Sequence, residues 1–560
     1  MNQRPCLGFV LIALTALITM ASCEGQPQPA EQTPAAVAKQ TDYQVLVKLH
    51  QDFLALQMSR TAQGAPDYSR AAIDARKKDL EDLKTRFATI DPLAWPVPQK
   101  VDYLLARAEL NGMDFDFRVL KPWERDPGLY VDLVALVPFA ELPAKDAAAL
   151  RAHLQAVPAI LEQGKANLTG ATGDLSALAL RHLERSDGVN QGEPRRATPP
   201  EGVIGWYEDF LARLPNHHAD LVPVAKQAQA AVVGFRDWMK QNQAAMNAPT
   251  SIGGKNYDWY VKNVRLMPFT ATQIALMGDQ EWWRTATFLK LEEHRNRMFP
   301  PIKPATTAED HERRVRDAET LIRTFTKEHS LITFPADIPP TFETDAYWIV
   351  RPEGRHFWEQ ITYRDPLNNH LHASIPGHAY EGVMHRRDTR PIRGSYSDSG
   401  RAEGWCFYVE EMYLQMGLLD KRPHAKELFY IAQLWRALRV PTEIRMLTAN
   451  LSVDQAVKDM MAEIPFMDEN LGRYDLEGYV RRPTSGMIYT IGKIQVQRLF
   501  TDRARQLGAK FNVGQFHDEF LAAGMIPISL IRWEMTGHDD EVRLLWPEGF
   551  ATSAPTAGAE

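Results

Sequence analysis

Apolar residues recur at helical spacing along most of the chain. Near the N-terminal end, Ile73, Leu80, Leu83, Phe87 and Ile90 follow one another at steps of seven, three, four and three residues. These steps place the five side chains on one face of a helix. The pattern therefore predicts an amphipathic helix that packs against a core through this face.

Similar patterns further along the chain predict more helices. Residues 145–168 repeat the helical spacing, although Pro158 should kink the helix. Residues 425–439 predict a largely buried helix, and Ser452 begins a capping-box pattern that opens another. Strand signals are few, and the best is the proline-bounded run Ala346–Arg351. We therefore predict a mainly α-helical fold with little β structure.

Breaks in the helical pattern indicate how the chain is organised. Residues 187–203 form a turn-rich loop, and the proline-rich segments 299–307 and 333–341 bracket the entry to the C-terminal half. A chain of 560 residues exceeds the usual size of a single core. We predict a helical N-terminal lobe over residues 43–298 and a helical C-terminal lobe over residues 299–550.

The first residues have the pattern of a bacterial lipoprotein signal. Arg4 precedes the apolar stretch 7–20, which is short for a membrane span. We predict a signal peptide at residues 1–22 and lipidation of Cys23 after cleavage. The proline- and glutamine-rich stretch at residues 23–42 should be a disordered tether. The alternative is a plain secretory signal that is cleaved nearby.

Composition and charge narrow the expected partners and location. Charged residues make up 24% and hydrophobic residues 44% of the chain, as in ordinary globular proteins. The net charge is −7 without a long basic run, so we expect no binding to nucleic acid. A lipid on Cys23 would anchor the protein in the bacterial cell envelope, and Glu24 suits an outer-membrane, periplasmic location in a bacterium with two membranes.

Because a lipidated Cys23 cannot pair, we expect no disulfide and a buried Cys406. The small polar tail at residues 551–560 should be disordered.

Residues 370–382 contain the residue types that bind metals most often. His370, His372 and His378 lie within nine positions, and imidazole nitrogens are common zinc ligands. On a regular helix the six-residue spacing of His372 and His378 leaves them about 120° from alignment. Pro376-Gly377 lies between them and breaks helical hydrogen bonds. The break could bring the two side chains together around a zinc ion.

A second predicted helix, which ends near Met416, supplies carboxylates. Glu403 and Glu410 are seven positions apart and share a face of this helix. We predict that Glu403 is the third metal ligand and that Glu410 orients a ligand imidazole. The two roles could be exchanged, and both glutamates could instead be solvated or paired with nearby arginines. We expect His370 and His385 outside the ligand set.

Three motifs of the C-terminal half occur together in a known family. Residues 372–378 read His-Ala-Ser-Ile-Pro-Gly-His, residues 403–410 read Glu-Gly-Trp-Cys-Phe-Tyr-Val-Glu, and residues 489–493 read Tyr-Thr-Ile-Gly-Lys. In these motifs the chain resembles the mainly bacterial family called domain of unknown function 885, whose members look like zinc metallopeptidases. The resemblance implies a mostly helical fold, a zinc site and peptidase-like chemistry on small peptides or amino-acid amides.

One departure from the family concerns the expected base. The family pattern has a glutamate after the first motif histidine, and here this residue is Ala373. The family glutamate takes the proton from the attacking water, a contribution of roughly 10²–10⁴ in rate. Glu381 is the candidate replacement, because positions 378 and 381 are neighbours on a helix. The alternative is a surface glutamate that faces His385 or Arg386.

Two further residues are weaker candidates for catalysis. Tyr489 could donate a hydrogen bond to the oxyanion of a tetrahedral intermediate, although helical tyrosines more often pack in a core. His517 could be an oriented imidazole, because Asp518 follows it, or a structural histidine.

These observations leave three hypotheses. The leading one is a lipid-anchored, zinc-dependent peptidase-like hydrolase of the cell envelope, acting on small peptides or amides. The second is a pseudopeptidase that binds a peptide or an envelope component without turnover. In the third, the histidines merely pack at a lobe interface and bind no metal, which leaves Pro376-Gly377 unexplained.

Overall fold

Helices account for most of the chain in the computed structural model. The structure describes residues 39–58, 61–62, 65–136, 141–185, 198–342, 348–352 and 354–550. The predicted signal peptide, the lipidation residue Cys23, most of the predicted tether and the predicted tail lie outside the described residues. The mainly α-helical fold class is confirmed.

A series of helices and one small hairpin form the N-terminal half. The helices are α1 Tyr43–Gln57, α2 Arg70–Phe87, α3 Val97–Phe115, α4 Pro122–Arg125, α5 Pro127–Val134, α6 Ala147–Asn167, α7 Gly173–Glu184, α8 Gly202–Arg213, α9 Val222–Asn242, α10 Gly254–Asn263 and α11 Ala271–Asn296. The hairpin pairs β1 Thr61–Ala62 with β2 Ala65–Pro66 in antiparallel register. The described ranges contain no other strand.

The C-terminal half is also helical. Its helices are α12 Ala308–Glu328, α13 Phe357–Thr362, α14 Leu367–Ala373, α15 His378–His385, α16 Ser399–Gln415, α17 Ala425–Ala449, α18 Val453–Glu463, α19 Glu469–Arg481, α20 Ile488–Leu507, α21 Val513–Ala522, α22 Ile528–Thr536 and α23 Asp540–Leu545. No helix in the described part of the chain has the length and apolar character needed to cross a membrane.

The α2 helix has the amphipathic face that the sequence predicts. The side chain of Ser69 caps the helix by accepting a hydrogen bond from a first-turn amide. The buried side chains of the predicted face are Ile73, Leu80, Leu83 and Phe87. Ile90 is also buried, but it lies beyond the end of the helix. The helical spacing therefore identified the buried face correctly.

The predicted strand at Ala346–Arg351 is wrong where the structure describes it. Residues 348–351 have no strand conformation. The backbone amide of Ile349 donates to the hydroxyl of Tyr363 (2.9 Å), and this hydroxyl also contacts the carbonyl oxygen of Ile349 (3.4 Å). A strand satisfies its backbone groups through a neighbouring strand. Here a tyrosine side chain satisfies them instead.

The largest hydrophobic cluster crosses the predicted lobe boundary. It includes buried residues of α3 and of α16. Arg393 adds a polar link, because its buried guanidinium contacts Asp102 (2.8 Å) on α3 and Glu534 (2.5 Å) on α22. The described residues from Gln40 onward form one compact unit. The division into two lobes at residue 298 therefore stays a prediction.

Two glycines let α16 and α20 pack unusually closely. A Cβ atom on Gly404 would lie 2.6 Å from the backbone of Gly492, and a Cβ atom on Gly492 would lie 2.7 Å from the Cα atom of Gly404. Any larger residue would force the two helices apart. Helices α14 and α15 also pack against α16. The packing of α14 and α15 against α16 brings Glu403 and Glu410 near the motif histidines.

Candidate metal centre

A sharp turn joins the two helices that carry the motif histidines. Helix α14 ends at Ala373 and α15 begins at His378, so the imidazoles belong to separate helices. A Cβ atom on Gly377 would lie 1.8 Å from the carbonyl oxygen of His372. Any other residue at this position would push the backbone segments apart. Gly377 therefore permits the turn that brings His372 and His378 together.

Three side chains converge at this turn. The Nε2 atom of His372 lies 3.3 Å from Oε2 of Glu403, and the Nε2 atom of His378 lies 3.2 Å from the same oxygen. The two imidazole rings are nearly perpendicular, with centroids 4.9 Å apart. His372 is buried, whereas His378 and Glu403 are half-buried. Solvent therefore reaches part of the cluster.

The separations within the cluster match those of zinc ligands. Tetrahedral ligands at about 2.1 Å from zinc lie about 3.4 Å from one another. A charge-assisted hydrogen bond is shorter, about 2.7–2.9 Å, and the contact between His372 Nδ1 and Glu410 (2.6 Å) is of this kind. Two imidazoles and a carboxylate also form a known donor set of catalytic zinc sites. The residues present therefore fit a zinc ion.

A buried carboxylate contacts His372 on the side of the ring opposite Glu403. The Nδ1 atom of His372 donates to Oε1 of Glu410 (2.6 Å), and the same oxygen lies 3.4 Å from the guanidinium of Arg436. Glu410 and Arg436 are both buried. Because Nδ1 donates to Glu410, Nε2 is the nitrogen of His372 that can bind a metal, once the metal replaces the proton that Nε2 donates to Glu403. Glu410 thus lies where the sequence predicts an orienting partner.

The charges of the cluster shift the pKa values of its members. Burial acts to raise the pKa of Glu403, but hydrogen bonds to His372 and His378 hold it well below its usual range. Burial and the charge of Arg436 act to lower the pKa of His372, yet hydrogen bonds to Glu403 and Glu410 raise it above its ordinary value. Glu403 is therefore ionised at neutral pH, and its charge attracts a cation.

Glu381, the predicted replacement base, lies on the far side of His378. Its Oε2 atom is 3.9 Å from Nδ1 of His378, whereas Nε2 of His378 faces Glu403. The other oxygen of Glu381 contacts the buried guanidinium of Arg401. Cys406 Sγ lies 3.4 Å from both Glu381 Oε2 and His378 Nδ1. The alternative of a surface glutamate is wrong, because Glu381 is buried. Its role as a base stays a prediction.

Tyr489 connects the cluster to a cleft. Its ring stacks parallel to the imidazole of His372, with 6.2 Å between the centroids. The same tyrosine lines a cavity of about 430 Å³, together with Tyr479 from the C-terminal half and Asp132 and Trp206 from the N-terminal half. Burial raises the pKa of Tyr489, so its phenol keeps its proton. Cavities of this size hold small ligands, so Tyr489 could contact such a ligand beside His372.

Two other candidate imidazoles have different contacts. His517 is buried, its Nδ1 atom donates to the carbonyl of Leu331 (2.7 Å), and its Nε2 atom accepts from the hydroxyl of Tyr408 (2.9 Å). Burial lowers the pKa of His517 to about 4. These are the contacts of a structural histidine, and a catalytic role for His517 stays a prediction. His370 lies 3.4 Å from Glu319.

Sequence reasoning did not identify the partners of two arginines in the site. Arg401 pairs with Glu381 and Arg436 pairs with Glu410, all of them buried. A signal for Arg436 was present, because it interrupts the apolar run that predicts the buried helix now seen as α17. A buried charge needs a partner. The neighbouring sequence does not identify that partner, since the paired residues lie on different helices.

A family model matches most of this chain. The family model described as bacterial protein of unknown function (DUF885) matches residues 54–290 and 297–535. The chain belongs to this family.

Two solved structures are similar to this chain in fold. One is described as "a putative lipoprotein of unknown function" from Shewanella oneidensis; it is 16% identical, has a TM-score of 0.67 and covers 89% of this chain and 100% of its own. The other is described as a "putative lipoprotein" from Colwellia psychrerythraea; it is 15% identical, has a TM-score of 0.63 and covers 88% of this chain and 98% of its own. No functionally curated protein matches the chain.

Proposed function

We propose that this protein binds a zinc ion through His372, His378 and Glu403 and acts as a peptidase-like hydrolase on small peptides or amino-acid amides. The observation that carries the proposal is the shared carboxylate oxygen. Both Nε2 atoms lie within 3.3 Å of Oε2 of Glu403, a separation that suits ligands around one ion.

The surrounding residues have distinct roles in this proposal. Zinc, when bound, supplies a Lewis acid that polarises an amide carbonyl and activates water. Glu410 orients His372 through the 2.6 Å hydrogen bond. Tyr489, which is half-buried, donates a hydrogen bond to the carbonyl oxygen as negative charge develops. Tyr489 also lines the cavity of about 430 Å³, whose size suits a small molecule.

Proton removal is the weak step of the proposed reaction. Ala373 offers no carboxylate beside the first ligand, and Glu381 is paired with Arg401. Without a dedicated base we expect hydrolysis to be slower by roughly 10²–10⁴ than in an enzyme that has one.

The same observation favours a second candidate function, binding without turnover. In this alternative the protein is a pseudopeptidase, and the cleft beside Tyr489 holds a peptide or an envelope component. The metal centre then positions a ligand group instead of cleaving an amide.

We also propose a lipid-anchored location in the bacterial cell envelope. The lipoprotein-type signal that ends at Cys23 supports this location, as does the fold similarity to two chains described as putative lipoproteins. Radiolabelled fatty acid should be incorporated into the wild type and not into Cys23→Ala. Equal labelling of the two proteins would contradict lipidation at Cys23.

A hydrolysis assay with a peptide library, with and without a chelator, tests the leading function. We expect slow cleavage that the chelator abolishes, that added zinc restores, and that His378→Ala lacks. Peptide binding by the zinc-loaded protein without any cleavage would favour the pseudopeptidase. Cleavage that is insensitive to the chelator, in a protein that holds no zinc by elemental analysis, would refute the metal centre.

A further inference from the structure

In each motif histidine, one ring nitrogen faces away from Glu403. A buried carboxylate lies on that side of the ring. Behind His372 this carboxylate is Glu410, which contacts the imidazole directly. Behind His378 it is Glu381, whose Oε2 atom is 3.9 Å from Nδ1. This distance is too long for a hydrogen bond. A direct contact therefore orients His372 but not His378.

The thiol of Cys406 fills the gap between Glu381 and His378. Its sulfur lies 3.4 Å from Oε2 of Glu381 and 3.4 Å from Nδ1 of His378, and Cys406 is fully buried. The thiol donates to Oε2 of Glu381, a carboxylate whose other oxygen contacts the guanidinium of Arg401. The sulfur is then an acceptor for the Nδ1–H group of His378.

This direction of hydrogen bonding determines which nitrogen of His378 carries the proton. With Nδ1 donating to the sulfur, Nε2 is the nitrogen of His378 that can bind a metal, once the metal replaces its hydrogen bond to Glu403. Arg401 supports the same direction, because it contacts Oε1 of Glu381 and so leaves Oε2 for the thiol.

We propose that Cys406 and Glu381 are positioning residues that fix the tautomer and orientation of His378 for metal binding. This inference rests on the proposed metal centre. It gives Glu381 a different role from that of a general base, since the carboxylate acts on the side of the imidazole opposite Glu403. The thiol is a relay in this arrangement and undergoes no covalent chemistry.

Variants of the relay should change zinc affinity in a defined order. Cys406→Ala removes the relay and should raise the zinc dissociation constant about 10–100-fold, the usual effect of losing an orienting partner. Cys406→Ser should retain most of the affinity, because a hydroxyl also donates and accepts. In Glu381→Gln the amide oxygen should face Arg401 and the NH2 group Cys406, which reverses the hydrogen bond. We expect this variant to bind about 10-fold more weakly.

The measurement is competition with a chelator, together with the visible spectrum of the cobalt(II)-loaded protein, which reports ligand geometry. Glu359→Gln is a matched control, since Glu359 is an equally buried carboxylate paired with Arg351 (2.8 Å). The control should leave the dissociation constant and the spectrum unchanged. Glu381→Gln and Glu359→Gln each remove the carboxylate partner of a buried arginine, so both metal-free variants should unfold at a similarly lowered temperature, whereas only Glu381→Gln should bind zinc more weakly.

Three results would overturn this inference. If Glu381→Gln abolishes turnover while zinc affinity and the cobalt spectrum stay unchanged, Glu381 is the base instead. If Cys406→Ala binds zinc as tightly as Cys406→Ser does, the thiol is not a relay. A wild-type protein that binds no zinc refutes the metal centre itself, and this outcome is distinct from the first two.

Discussion

Replacing Lys493 with methionine should destabilise the protein strongly. Lys493 lies in α20 with no exposed surface, and its ammonium group contacts Glu281 and Glu411, the latter at 2.6 Å. Arg284 contacts the same two carboxylates at 2.8 Å. Two positive and two negative charges therefore balance in a group that joins α11, α16 and α20, and all of its members except the half-buried Arg284 are buried.

The size of the effect follows from the charges that remain. Without Lys493, two buried carboxylates share the single guanidinium of Arg284. Glu281 and Glu411 are each 7% exposed, so water cannot solvate the excess negative charge. Removing one partner from a buried charge pair costs about 3–5 kcal/mol. We expect the free energy of unfolding of Lys493→Met to fall by this amount.

Denaturant unfolding of three variants measures the effect. The double variant Lys493→Met/Glu281→Gln restores the charge balance, because Glu411 keeps Arg284, and it should recover part of the loss. Lys290→Met is the control, since this exposed lysine of α11 pairs with the exposed Glu293, and its effect should stay below about 1 kcal/mol. A Lys493→Met effect as small as the control, or a double variant less stable than the single one, would refute the reasoning.

Three other changes test the site and its surroundings. Ala373→Glu restores a carboxylate after the first ligand and should raise chelator-sensitive hydrolysis roughly 10²-fold or more; an unchanged rate with zinc bound would contradict the missing-base argument. Tyr489→Phe should lower kcat about 10²–10³-fold while zinc content is kept, and an unaltered kcat would exclude the proposed donor. Because the pKa of His517 is lowered to about 4, its contribution to stability is present above about pH 6.5. As the pH falls towards 4, the unfolded state binds the proton first and about 3 kcal/mol is lost. Unfolding free energies measured across this range should fall less steeply for His517→Asn than for the wild type, and equal slopes would contradict the shift.

Local sequence patterns predicted much of the helical structure. The spacing of apolar residues identified the buried face of α2 and the buried helix α17, because each depends only on residues within a few turns. The break at Pro376-Gly377 was also a local signal, since proline and glycine interrupt helical hydrogen bonds. The predicted strand does not form, because an isolated β pattern does not specify a neighbouring strand. At Ile349 the backbone amide donates to the hydroxyl of Tyr363 instead.

The environment of the site depends on contacts between distant segments. The closest approach of α16 to α20 needs a glycine on each helix, Gly404 and Gly492, and neither glycine indicates its partner. Buried charge pairs such as Arg436 with Glu410 likewise join different helices. The sequence therefore predicted which residue types could bind a metal, whereas the orienting groups behind the imidazoles required the packed structure.

The most direct test of the metal centre is a crystal structure of the zinc-loaded protein with anomalous data collected at the zinc absorption edge. We predict one anomalous peak at about 2.0–2.2 Å from Nε2 of His372, Nε2 of His378 and an oxygen of Glu403. A zinc-supplied crystal with no peak among these three groups, while their side chains keep the contacts described above, would contradict the account.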